Sequence, residues 1–370
     1  MIDTMGLILS DDVHISSLTE KRSISALPFA GRYRLIDFIL SNMVNAGITN
    51  VGVVLKHNYS SLMDHLGSGK EWDLNRKNGG LHILPPYIAR NMPGIGEGSI
   101  DLVASAFSYM SKSKQKYVIL AKGNTIFNID FDDVMEFHLD NHADITMVYY
   151  EEANDKEGIT NNTFLAVDDD NRVTGIEVRP RRPKTNKVFM YVMLLDKAYL
   201  QYLVDEAFAR GEQDIVKDIL MKRLNKSNIC GYRFEGCVGN IDSIQSYYSN
   251  SMCMLEENKR REIFNPSRPI YTKIKDQAPT RYSNEASVSN CLIADGCTIE
   301  GQIRNSIIFR GVHVGKNAKV SNSIVMQDSV IQLGCELDYM VMDKEVLVRE
   351  NARLIGDSRH PIIISKGEIV

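Results

Sequence analysis

The sequence has 370 residues, 44% apolar and 24% charged, which fits two or three globular domains and excludes a single small module. Forty-three basic against 47 acidic residues leave a net charge of −4, so bulk charge makes no case for a nucleic-acid or membrane-surface partner. No apolar run reaches the roughly 18 residues of a membrane helix, and the stretch from Met1 to Leu9 carries Asp3 and lacks a basic start, so neither anchor nor signal peptide is expected and the chain is placed in the cytoplasm.

Gly6 to Leu9 reads as a short buried strand. Tyr33 to Ala46 carries Leu35, Phe38, Ile39 and Met43 at helical spacing, and Gly47 to Leu55 returns to strand, which completes one βαβ unit. Val118 to Ala121 is a further strand ending in a polar turn, Phe131 to His142 reads as a helix, and Ile145 to Tyr150 as the next buried strand. This alternation over the first 250 residues predicts an α/β domain with a Rossmann-like, mostly parallel sheet flanked by helices. In such sheets ligands sit at the carboxyl ends of the strands. Chemistry is therefore expected in the turns after Leu9 and Ala121.

Glu262 to Pro279 contains Pro266, Pro269 and Pro279 and reads as a linker. From Ser287 to Leu354 the pattern changes to repeats of about six residues, as in Ala294 to Ile299, Ile307 to Gly315, Ile324 to Ile331 and Val341 to Val348. Each turn places an aliphatic residue inward and a corner residue such as Gly or Asn outward. That is the hexapeptide signature of a left-handed parallel β-helix, whose stacked turns bury a common core. The expected boundaries are 1–261, 262–286 and 287–370. Solenoid ends need capping or pairing, so this last part is also the expected oligomerisation surface. Six cysteines (Cys230, Cys237, Cys253, Cys291, Cys297, Cys335) lack a CxxC pair or a His at zinc spacing and are read as reduced, small apolar residues.

Three stretches carry a resemblance over nearly the whole chain: Leu27 to Phe38 with Leu40-Ser41-Asn42 and Asn45 to Ile48; Trp72 to Arg76 with Asn78-Gly79-Gly80 and Ile83 to Tyr87; and Ile303 to Val314. On these the chain resembles the glucose-1-phosphate adenylyltransferase (ADP-glucose pyrophosphorylase) family. The resemblance implies a nucleotide-diphospho-sugar transferase fold and an in-line attack of glucose-1-phosphate on the α-phosphate of ATP. Such a reaction needs donors and a cation on the triphosphate, a carboxylate-held Mg2+ and a positioned sugar phosphate.

Against that pattern the chain departs at each part. The family's glycine-rich phosphate loop is replaced by Ser10 to Thr19, without glycine and with Asp11 and Asp12 where a triphosphate would be repelled. His14 in this loop is read as a surface residue. Ile24 stands where the family has an anion-binding lysine. Asn124 replaces one metal aspartate and Cys237 the other, and neither residue suits Mg2+. Arg179 replaces the lysine that holds the sugar phosphate, keeping charge but not geometry. The resemblance therefore implies the non-catalytic, regulatory GlgD-type subunit of the family, with no catalytic residue, no metal and no cofactor of its own. Its expected partner is a catalytic ADP-glucose pyrophosphorylase subunit in a heterotetramer, met through the β-helix and the face from Trp72 to Tyr87, with a homo-oligomer when alone. An active adenylyltransferase with rearranged ligands and a free-standing sugar-phosphate sensor stay open as alternatives.

Some binding features survive. Arg32 and Arg34 beside Gly31, with Lys56 and His57 after the second strand, are candidates for an anion or sugar-phosphate effector. Gly98, Ser99 and Asp101, with Asp214 before Lys217-Asp218, match the family's nucleotide and sugar-phosphate contacts, and the alternative for each is a surface charge or a helix cap. Arg179 to Lys184 is a dense basic run that fits an anion, an acidic partner or a solvated loop. Tyr247 and Tyr248 are read as helix packing.

Overall fold

The computed structural model describes residues 1, 3–10, 14–85, 98–152 and 161–370. Its first part is built on a nine-stranded sheet. The strands are β1 (Thr4–Leu9), β2 (Asn50–Val54), β3 (Gly80–Leu84), β4 (Tyr117–Lys122), β5 (Ile145–Glu151), β6 (Thr163–Val167), β7 (Val173–Val178), β8 (Lys187–Asp196) and β9 (Ile229–Arg233). The spatial order is β7-β6-β8-β4-β1-β2-β3, with β5 beside β8 and β9 beside β5. The β4-β1-β2-β3 half is parallel, with Ile8 opposite Val53 and Ala121. β8 runs antiparallel to both β4 and β5. The sheet is thus more mixed than the sequence pattern conveys, because a strand covered on both faces is a continuous apolar run whose direction the pattern does not record.

Helix α1 (Leu35–Asn45) links β1 to β2. It starts at Leu35 because the backbone N–H of Arg34 donates to Asp37 Oδ2 at 2.9 Å, a cap contributing about 1 kcal/mol. Its buried residues Ile36, Ile39, Leu40 and Met43 pack with Ile8, Val51, Val53 and Leu55 on one face of the sheet. The opposite face is covered by α2 (Ser99–Ser105) and α3 (Lys197–Ala209), which supply Ile100, Val103, Leu200, Leu203 and Val204 to a second core.

After helix α4 (Ile244–Cys253) and helix α5 (Glu257–Ile263) an extended segment leads to the first β-helix strand at Arg281–Tyr282. The coils stack in parallel, with a first step of 15 residues, as from Val288 to Ile303, and then steps of 17: Ile303 pairs with Val320, Val320 with Leu337, Leu337 with Leu354. Ile299, Val314, Ile331 and Val348 form a second inward row and are fully buried. Buried Ser306 and Ser323 hand hydrogen bonds from coil to coil at 3.1 and 3.0 Å. Corners fall on Asn290, Asn305 and Asn322, whose φ values of 51°, 44° and 46° asparagine adopts more readily than other side chains.

The two parts share one core. Leu27, Phe29 and Phe38 meet Tyr247, Ile307, Phe309, Ile324, Met326 and Val341. Tyr247 donates to the Pro28 carbonyl at 2.8 Å and Tyr248 to that of Asn322 at 2.7 Å. The tyrosine pair expected to pack a helix therefore also ties that helix to both parts. Arg22 closes the junction with a two-pronged ion pair to Asp343, at 2.8 and 2.6 Å, both side chains almost wholly buried.

All six cysteines are free; Cys230, Cys297 and Cys335 are buried and the other three half-buried. Trp72, at the start of the stretch expected to meet a partner, is 1% exposed and packed edge-on against His65, so its side chain belongs to the core. Pro86 and Tyr87 lie outside the described residues.

Candidate functional site

Ligands of such folds sit at the carboxyl ends of the strands, here those of β1 and β4, and the described residues Ser10, Ile24, Ser25 and Gly123 to Thr125 are buried. Ile24, in a short 3-10 turn from Ile24 to Ala26, is 1% exposed and packs in the cluster that contains Ile126, Ile241 and Tyr247. Burying an isoleucine stabilises by roughly 1.5–3 kcal/mol, so this side chain contributes to the core and offers no charge to an anion. Ser25 lies so close to Gly123 that a Cβ there would come within 2.6 Å of its hydroxyl. Asp11 and Asp12 lie outside the described residues, and His14 is exposed.

Asn124 follows β4 and is 6% exposed. Its side-chain amide donates to the Ile241 carbonyl at 2.8 Å, while the Ile241 N–H donates back to the Asn124 carbonyl at 3.1 Å. The contact fastens the turn to a two-residue ladder in which Gly239 and Asn240 pair with Ile126 and Thr125. An aspartate in this place would have no amide to donate. Cys237 lies just before that ladder and lines a cavity of about 130 Å³ with Phe29, Ile126, Val238, Cys253 and Met254. Burial pushes its thiol up, with Glu262 adding to the effect, which makes the thiolate harder to form. No cluster of three or more His, Cys, Asp or Glu suited to a metal occurs among the described residues. The residues at these positions therefore do not fit the Mg2+ that adenylyl transfer in the family uses, and no step is routed through it.

The remaining positions divide between structural and open roles. Arg179 is exposed at a left-handed turn, φ 50°, with its N–H on the Asn162 carbonyl at 3.0 Å. Gly98, Ser99, Asp101 and Asp214 do come together, but on each other's backbone. Gly98 N–H donates to Asp101 Oδ2 at 3.3 Å, Ser99 Oγ accepts from the Ile215 N–H at 2.9 Å, and Asp214 Oδ1 accepts from Val216 and Lys217 at 2.9 Å each. A Cβ on Gly98 would meet the Gln213 carbonyl at 2.3 Å. These residues act as caps and as the splice between two helix starts.

A second location holds the opposite chemistry. At the junction of the two parts a cleft is lined by Arg32 and Arg34 from the first part, Lys273 and Lys275 from the extended segment, and Arg310 and Lys344 from the β-helix, with Asp64, His65 and Asp328 on its rim. Arg34 donates to Ser61, to the carbonyl at 2.6 Å and to Oγ at 2.9 Å; burial, with Arg22 nearby, pushes its guanidinium down to about 10. Arg310 is 5% exposed and braced by Asp295 at 3.1 Å. His65 is bound to Asp37 at 2.5 Å. Lys344 is pushed down to about 7 by burial and by Arg34 and Arg22. Six cations face two carboxylates, a lining that favours an anion with more than one negative charge.

The structure brings Arg32 and Arg34 into this cleft as expected, whereas Lys56 and His57 are not among its lining residues. The four other cations were missed by sequence reasoning. Lys273 and Lys275 sit in a segment read only as a linker. Arg310 and Lys344 sit at β-helix corners, and the charged run Asp343-Lys344-Glu345 inside an aliphatic repeat was the available signal.

Residues 14–252 match the model of the family described as nucleotidyl transferase, and residues 276–360 that of the GlmU-like, C-terminal hexapeptide family. Fold and matches together define a nucleotidyl transferase chain carrying a hexapeptide β-helix. The chain is 34% identical to the glycogen biosynthesis protein GlgD of Bacillus subtilis (strain 168), over 95% of this chain and 92% of that protein. It is 39% identical to the glycogen biosynthesis protein GlgD of Geobacillus stearothermophilus, over 96% and 93%. The glucose-1-phosphate adenylyltransferase of Acetivibrio thermocellus matches at 32% over 92% and 80%. This chain belongs to the glucose-1-phosphate adenylyltransferase family, with the GlgD glycogen biosynthesis proteins among its relatives. No helix among the described residues is long and apolar enough to cross a membrane.

Proposed function

We propose that this chain is a regulatory, catalytically impaired subunit of an ADP-glucose pyrophosphorylase, acting in glycogen biosynthesis by associating with a catalytic subunit and modulating its synthesis of ADP-glucose from ATP and glucose-1-phosphate. The observation that supports the reading is the packing at the positions of the family's anion-binding lysine and metal aspartate. Ile24 is in the core and the Asn124 amide is bound to Ile241, so the positions that would hold a triphosphate and its metal support packing instead. Losing one transition-state contact costs about 10²- to 10³-fold, and here several are lost together. The relatives named for glycogen biosynthesis supply the pathway.

The junction cleft is the regulatory site in this reading. A sugar-phosphate effector bound there touches the first part, the extended segment and the β-helix at once. It can therefore favour one arrangement of the three over another, which is what coupling between sites requires. The β-helix is the proposed contact with the catalytic subunit.

The test mixes the purified chain with a catalytic glucose-1-phosphate adenylyltransferase from the same source. The expected result is a larger assembly by light scattering and a changed kcat or KM of the pair, responsive to sugar phosphates. Unchanged size together with unchanged kinetics overturns the reading.

A further inference from the structure

We propose that an anion entering the junction cleft is bound together with a proton taken up by Lys344, so that the cleft holds its anion more tightly as pH falls through neutrality. This rests on the reading of the cleft as an anion site.

The argument begins with what surrounds the lysine. Lys344 is half-buried at a β-helix corner. The neighbouring carboxylate, Asp343, is committed to Arg22 at 2.6 and 2.8 Å and to the backbone N–H of Lys344 itself at 2.8 Å. Glu345 is paired with Lys366 at 3.1 Å. On the facing elements, Asp64 is held by Lys273 at 3.4 Å, Asp37 is taken by His65, and Asp295 braces Arg310. Asp328 is on the exposed rim. Among the described residues no carboxylate forms an ion pair with the Lys344 ammonium. Arg22, Arg34 and Lys275 act on it as like charges, with Asp343 the opposing one. Tyr33, which also lines the cleft, is pushed up by burial and away from neutral pH, and His65 on the same lining is bound to Asp37.

A half-buried ammonium among like charges loses its proton more easily, which places Lys344 at about 7 instead of the usual 10.5. A dianion in the cleft reverses the sign of the local field and restores the ammonium. Above pH 7 binding must then draw a proton from solvent, and linkage makes the affinity fall as pH rises. With one proton involved the limit is about tenfold per pH unit.

Sulfate is the probe, because it stays doubly charged from pH 6 to 9 and exchanges no proton itself. Titration calorimetry of the full chain, in two buffers of different ionisation enthalpy, reads both affinity and proton uptake. The expected result is affinity falling several-fold per unit above pH 7, with uptake approaching one proton near pH 8. Lys344→Arg fixes the charge and is expected to bind sulfate with no proton uptake in that window. Lys275→Gln removes a like charge and is expected to move the uptake window to higher pH, a second readout if the first variant does not fold. Sulfate binding without proton uptake near pH 8, or uptake that persists in Lys344→Arg, overturns the inference and leaves the anion site standing. No sulfate binding at any pH overturns the anion site itself.

Discussion

The segment from Ile24 to Arg34 borders two places of opposite character, and the contrast between them carries the account. At the ends of β1 and β4, Ile24, Ile126 and Ile241 belong to one buried apolar cluster, Ser25 lies against Gly123, and the Asn124 side chain is hydrogen-bonded to backbone. Ten residues on, Arg34 enters a cleft of six cations from three stretches of chain, in which Lys344 has no ion-pair partner among the described residues. Apolar closure stabilises the fold with no ligand present. A concentration of buried positive charge does the reverse, since like charges held together destabilise the ligand-free protein until an anion arrives. The difference teaches that two neighbouring places on one fold can be built from opposite chemistry, apolar packing at one and clustered charge at the other.

The contrast can be broken first at Ile24. Replacing it with lysine, the residue of the catalytic relatives' pattern, would put an ammonium among apolar neighbours. A fully buried lysine shifts by up to 3–5 pKa units, so Ile24→Lys is expected to destabilise by about 4 kcal/mol or more. Urea denaturation measures this, and a neutral effect would mean the pocket is open. Next is the junction. Arg22→Ala strands the Asp343 carboxylate in the interior and is expected to cost about 3–5 kcal/mol, with an Arg22→Met, Asp343→Leu double variant recovering much of it. A double-variant loss equal to the sum of the Arg22→Met and Asp343→Leu losses would show that the pair is not coupled.

A smaller effect sharpens the role of Asn124. Asn124→Asp removes the amide donor and sets a carboxylate against the Ile241 carbonyl, for an expected loss of about 1–3 kcal/mol and no gain in pyrophosphate release. A gain would show that the aspartate alone restores a metal site. The smallest effect lies away from both places. His138 is buried against Tyr117 and Thr146, and burial lowers its pKa below 6.5. The unfolded chain then binds the proton more readily, so this contribution is fully present above pH 6.5 and is lost as pH falls through the lowered folded value. The slope is at most about 1.4 kcal/mol per pH unit, and His138→Gln is expected to flatten the pH 5–6.5 portion of the melting profile.

The sequence was most informative where local pattern decides structure. The β1-α1-β2 unit, the strand at Ile145 and the β-helix repeats lie where periodicity placed them, because burial on one face imposes a period that survives in the residues. The departures at Ile24, Asn124 and Cys237 were legible as missing charges, but their new roles were not, since a partner such as Ile241 is more than a hundred residues away from Asn124. The cleft was half legible. Arg32 and Arg34 stood out beside Gly31, whereas Lys273, Arg310 and Lys344 join them only through the stacking of the β-helix on the first part. Trp72 stood out only as part of a resembling stretch, and its place in the core depends on His65 and the sheet behind it.

The central claim is that this chain keeps the transferase fold without its chemistry. The direct measurement is pyrophosphate release by the purified chain alone, supplied with ATP, glucose-1-phosphate and Mg2+, beside a catalytic relative under the same conditions. The account predicts a rate at the no-enzyme background, while a rate within tenfold of the catalytic relative would contradict it.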